Sequence, residues 1–215
     1  MKRLFVCLLL PICAAQSFCT ESYLCENTTM HDMQVKNSIN STAKSFIWMS
    51  IIYAAIYFLN NWLTGFLYLV PGAHLVHLPT GFKLLFVLIS GWIGALSIGC
   101  VAFLYGFFFM FKGDVFLDLE LAFIGALAPY LTYIYFKNKF DIKSDLLWLT
   151  KKRVLIMGFV YAILNSSLVQ MILFWNGITA DFLNGMLVMF IGDITGLYLL
   201  FLLIGVASKF LIKKP

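Results

Sequence analysis

From residue 46 to 207 the chain is a succession of long apolar runs separated by short polar joints. The runs cover 46–70, 82–111, 119–136, 154–175 and 182–207. At about 1.5 Å of helix per residue, each is long enough to cross a hydrocarbon core of about 30 Å. In such a core only helices and closed barrels satisfy the backbone polar groups. Barrel strands are about ten residues long and alternate in polarity, whereas these runs are continuous and about twice that length. The expected fold is therefore all-α: a polytopic transmembrane helical bundle behind an N-terminal signal-like segment.

Composition supports this. Hydrophobic residues make up 62% of the 215 and charged residues 12%, against about 25% charged in a soluble domain. The cations outnumber the acids, 15 to 10, but they flank apolar runs instead of clustering on a polar domain. They therefore mark topology and give no footprint for nucleic acid. Lys137, Lys139, Lys143, Lys151, Lys152 and Arg153 crowd one joint, and Lys209, Lys213 and Lys214 crowd the C-terminus. By the positive-inside rule both face the cytoplasm, and Gly177 faces out. A bacterial inner membrane is the expected location.

Residues 1–15 read as a signal peptide or N-terminal anchor, with Lys2 and Arg3 ahead of a short apolar stretch and small residues at Ala14 and Ala15. Residues 16–45 are rich in Ser, Thr and Asn and read as a flexible extracytoplasmic tail. Cys19 and Cys25 in it would close a disulfide loop in an oxidising compartment or stay free thiols. The transmembrane domain is 46–208, and 209–215 form a basic cytoplasmic tail.

The span count turns on 82–111, about 45 Å as one straight helix. Gly91, Ala95, Gly99, Ala102 and Gly106 draw a small-residue stripe that favours one continuous helix and five spans. A break near Gly91-Trp92 would give six, and the tail would then stay on the side of the joint 137–153.

Asp193 carries the main functional expectation. A carboxylate in the middle of the last span costs about 2.5–3.5 kcal/mol to insert and so turns toward the bundle interior. Gly192 and Gly196 frame it and permit close approach of a neighbouring helix. Asn165, Ser166 and Gln170 make a polar patch in the preceding span, with Ser166 and Gln170 sharing a face, and are expected to partner it. These residues form either a ligand-binding site or interhelical hydrogen-bonding glue.

The segment 71–81 is broken by Pro and Gly at both ends, including Pro79 and Gly81, and is expected to dip into the protein. His74 and His77 would share a helical face there. Two imidazoles make a poor metal site, so no metal is expected. No motif for a cofactor or a catalytic group occurs, so none is expected and the chain reads as non-enzymatic.

Leu78-Pro79-Thr80-Gly81, Gly91-Trp92-Ile93-Gly94-Ala95 and Phe190-Ile191-Gly192-Asp193-Ile194-Thr195-Gly196 together resemble the MASE-type membrane-associated sensor domains of bacteria. The resemblance covers roughly 46–208. It implies a sensor-like module whose ligand is undefined and which acts through a membrane or cytoplasmic signalling partner as well as the lipid bilayer. The other readings are a solute-binding subunit of a transporter and a structural membrane subunit.

Overall fold

The computed structural model describes residues 28–64, 68–70, 73–74, 76–110, 114–140 and 150–212. The signal-like segment, and the part of the tail that holds Cys19 and Cys25, lie outside them. The chain is a helical bundle. Helix α1 (Thr28–Thr64) leads into a minimal antiparallel hairpin, β1 (Tyr68–Val70) with β2 (Ala73–His74). Then come α2 (Leu78–Ser90), α3 (Trp92–Tyr105) continued by a π-turn (Gly106–Met110), α4 (Val115–Phe140), α5 (Lys151–Trp175) and α6 (Phe182–Ile212). All of these helices except α2 provide a segment long and apolar enough to cross a membrane, five in total among the described residues.

Helix starts follow the short polar side chains. Asp114 Oδ1 accepts the Leu117 N–H at 3.1 Å, Thr150 Oγ1 the Arg153 N–H at 3.4 Å, and Asp181 Oδ1 the Asn184 N–H at 3.1 Å. Each satisfies a donor that the first helical turn leaves free.

Two expectations are corrected. The run 82–111 is not one helix. Gly91 adopts φ +57°, which glycine reaches without strain, and the chain reverses there between α2 and α3. A side chain at Gly94 would overlap the backbone of Phe86, so the two helices lie backbone to backbone just past the turn. The stripe still serves α3, where Gly99 abuts Ala126 and Gly106 abuts Asp118 on α4. The second correction concerns 28–45, which are helical where a flexible tail was expected. A polar segment joined to an apolar helix only has to propagate it, which costs far less than nucleation.

Side-chain pairings fix the helix directions. Tyr57 packs on Tyr105 and Phe58 edge-on to Phe109, so α1 runs parallel to α3. Gly99–Ala126 and Gly106–Asp118 make α4 antiparallel to α3. Arg153 lies over the Phe140 ring, and Asn165 meets Asp193 as Phe174 meets Phe182, so α6 returns beside α5. One rim of the bundle thus gathers the start of α1, Gly91, the end of α4, the start of α5 and the end of α6. The opposite rim gathers Thr64, Asp114 and the turn 176–181. The start of α1 and the C-terminal end of α6 share a rim, which does not fit a tail on one side of a membrane and a C-terminus on the other. What fits is a break at Gly91 with both described ends on one rim, in which α2 is a half-length helix beside the five that are long enough to cross.

Candidate functional site

The site is built on the buried start of α2. After α1 ends, the chain turns back through the hairpin and re-enters the bundle beside α6. The His77 N–H donates to Gly192 O at 3.1 Å, ten residues or about 15 Å into α6. Close approach is possible because Gly196 has no side chain: a Cβ there would overlap His77 O. Gly81 does the same a turn later, where a Cβ would stand 2.9 Å from Leu200 Cδ2 and 3.2 Å from Gly196 O. Pro79 sits in the first turn of α2, where its missing N–H is not needed. The Leu78 N–H is capped from another helix, donating to Asn60 Oδ1 at 2.9 Å. Asn60, which looks from sequence like an interruption of a span, is thus a cap for α2.

Asp193 lies at this helix start and has no exposed surface. Thr80 Oγ1 donates to its Oδ1 at 2.5 Å, and Asn165 Nδ2 donates to its Oδ2 at 2.7 Å. The positive end of the α2 dipole adds to these bonds. Lys83, one turn further along α2, is also buried. Its ammonium comes to rest beside Gly125 of α4, 3.7 Å from where a side chain there would begin. It lies within electrostatic reach of Asp193, as do Tyr53 and Tyr57 of α1 and Tyr161 of α5. The residues that face the carboxylate therefore come from α1, α2 and α5, around α6.

Three polar atoms in this surround have no hydrogen-bond partner although they are buried: Tyr53 OH, Tyr161 OH and Asn165 Oδ1. Buried polar groups are nearly always paired, because an unpaired one costs about 1–3 kcal/mol. Each oxygen of the Asp193 carboxylate accepts one bond, from Thr80 and from Asn165, and the groups around it keep open hydrogen-bonding capacity.

Of the residues expected at the site, Asp193, Gly192, Gly196, Asn165, Pro79 and Gly81 converge here. Ser166 and Gln170 do not reach the carboxylate. Ser166 Oγ returns its proton to Ile163 O at 3.2 Å. Gln170 lies two turns away, where Nε2 meets Met189 Sδ at 3.9 Å and the side chain covers Gly185. They share a face with each other, but Asn165 is the residue that points at α6. His74 lies in β2 and His77 caps α2, so they do not share a helical face; the His77 ring packs edge-on to Tyr57 at 5.9 Å. Among the described residues, no group of three or more His, Cys, Asp or Glu is placed to hold a metal ion.

Sequence reading missed Lys83, Tyr53 and Tyr161. Lys83 had a signal: a cation inside Phe82-Lys83-Leu84-Leu85 calls for a buried acidic partner. Asp118 was also missed. It is 1% exposed, both its oxygens are unpartnered, and it is wedged against Gly106 where the π-turn opens. Comparison with family models, curated proteins and solved structures finds no match to the chain.

Proposed function

We propose that this integral membrane protein is a non-enzymatic, sensor-like module that binds a small polar ligand in the chamber around Asp193. The observation that carries the reading is the set of unpartnered, buried Tyr53 OH, Tyr161 OH and Asn165 Oδ1 beside a carboxylate whose two oxygens are each already held by one bond. A purely structural anchor needs only the Thr80 and Asn165 bonds. The additional open groups are what a ligand would complete. Occupancy would draw α1, α2, α5 and α6 together, and that change in packing is what a signalling partner would read. The resemblance to MASE-type domains supports the same reading. The basic rim, with Lys137, Lys139, Lys152 and Arg153, would face the cytoplasm of a bacterial inner membrane, together with both described chain ends.

The test is a thermal-stability screen of the purified protein against amino acids, organic acids, amines and sugars. A ligand of this chamber raises the midpoint of the wild type and not that of a Tyr53→Phe/Tyr161→Phe variant. Absence of any such compound, with normal abundance and phenotype for Asp193→Asn, would refute the reading. One observation favours a second: α2 is a half-length helix whose start is buried inside the bundle, an arrangement that transporters use at their substrate sites. Protein-dependent uptake of the same compound into proteoliposomes would select transport over sensing.

A further inference from the structure

Lys83 is the only buried cation among the described residues. It is 7% exposed, and among the described residues it makes no hydrogen bond and no ion pair. An ammonium is a donor with three protons to place and no lone pair. A charge buried without a partner is strongly disfavoured. Asp193 lies within electrostatic reach, but no ion pair joins the two, and its oxygens accept from Thr80 and Asn165.

The ammonium turns instead to α4, where there is room beside it. Gly125 is buried. Apart from nearby backbone of its own helix, a Cβ there would meet a single atom within 4 Å, Lys83 Nζ at 3.7 Å. That is an ordinary van der Waals distance, so a group at least as large as a methyl fits next to the charge.

The open capacity of the chamber has the same character. At 100° per residue, Lys83 falls on α2 between Phe86, which packs in one cluster with Tyr53, and Leu84, which packs in one cluster with Tyr161. Tyr53 OH and Tyr161 OH can each donate, and Asn165 Oδ1 is the one obligate acceptor among the three unpartnered atoms. A cation and two hydroxyl donors against one acceptor suit an acceptor-rich anion. A carboxylate, with two oxygens and about four lone-pair sites, can take bonds from several such donors at once.

We propose, on the reading of the chamber as a ligand site, that its ligand is a small monocarboxylate whose charge is paired with Lys83 beside Gly125. Asp193 holds the start of α2 in place, and Lys83, one turn further on, supplies the charge that selects the ligand.

The experiment is thermal unfolding of the full chain in detergent. Sodium acetate or lactate replaces sodium chloride at constant ionic strength, and the uncharged acetamide and lactamide serve as matched shapes. The wild-type midpoint rises saturably with the carboxylate, and the amide binds at least about tenfold more weakly, as loss of a charge-assisted bond requires. Lys83→Met abolishes the preference for carboxylate over amide. Gly125→Ala, whose methyl takes up the room beside the ammonium, lowers it. A wild type that takes the amides as well as the carboxylates overturns the proposal, whether or not the variants fold. So does a midpoint that does not change as carboxylate replaces chloride, or a carboxylate effect that survives Lys83→Met. An amine or sugar whose effect needs Tyr53 and Tyr161 but not Lys83 overturns the carboxylate and leaves the chamber a ligand site. No effect from any compound overturns both.

Discussion

Thr80 Oγ1 donates a 2.5 Å hydrogen bond to Asp193 Oδ1 across 113 residues of sequence. It ties the first turn of a half-length helix to the middle of the last one. The carboxylate occupies the place that a bound anion takes at other helix starts. Asn165 holds its other oxygen. Helices α2, α5 and α6 are thereby fastened together inside the bundle.

Loss of the hydroxyl isolates this bond. Thr80→Val keeps the shape and leaves Asp193 Oδ1 unpaired in the interior, so unfolding in detergent should become easier by about 1–2 kcal/mol. Thr80→Ser retains the donor and should cost less than half of that. Equal losses for the two variants would mean that the methyl group matters and the bond does not.

The glycines separate close approach from helix propensity. Gly196→Ala places a methyl on His77 O, which is backbone and cannot swing aside. The α2 start must lift from α6, and the variant should lose more than about 3 kcal/mol or fail to accumulate. Gly205→Ala meets nothing within 4 Å and should be neutral or gain up to about 1 kcal/mol. Expression and thermal midpoints, measured side by side, decide this.

The two orphaned phenols give a prediction of opposite sign. Removing a bonded buried hydroxyl destabilises, whereas removing an unpartnered one relieves a desolvation cost. Tyr53→Phe and Tyr161→Phe should each leave the ligand-free protein as stable as wild type, or up to about 1 kcal/mol more so. A loss above about 1 kcal/mol in either would assign that hydroxyl a structural partner.

Sidedness is checked by reporter fusions. Fusions joined just before Asn40, at Lys143 and after Lys214 should all read the same side, and one at Gly177 the other. Opposite readings for the first and third would contradict the parallel pairing of α1 with α3.

Much of this architecture is legible in the sequence because hydrocarbon is so selective a solvent. Run length alone identifies the five spanning helices, and a mid-span Asp has to be buried. Asp114, Thr150 and Asp181 mark helix starts by residue type. The break at Gly91 is less legible, since nothing in composition separates it from Gly94 or Gly99; only its backbone conformation does. The choice of Asn165 over Gln170 depends on the rotation of α5 against α6, which a single-helix pattern does not encode. The unpartnered Asp118 follows from the packing of α4 on α3 at Gly106, and no local pattern announces it.

A double-mutant cycle of Thr80→Val and Asp193→Ala, followed by unfolding in detergent, tests the central claim most directly. If the α2 start is fastened to the buried carboxylate, the two losses overlap, and the coupling energy should be about 1–3 kcal/mol. Strictly additive losses would show that the two side chains do not meet, and the chamber built around them would be contradicted.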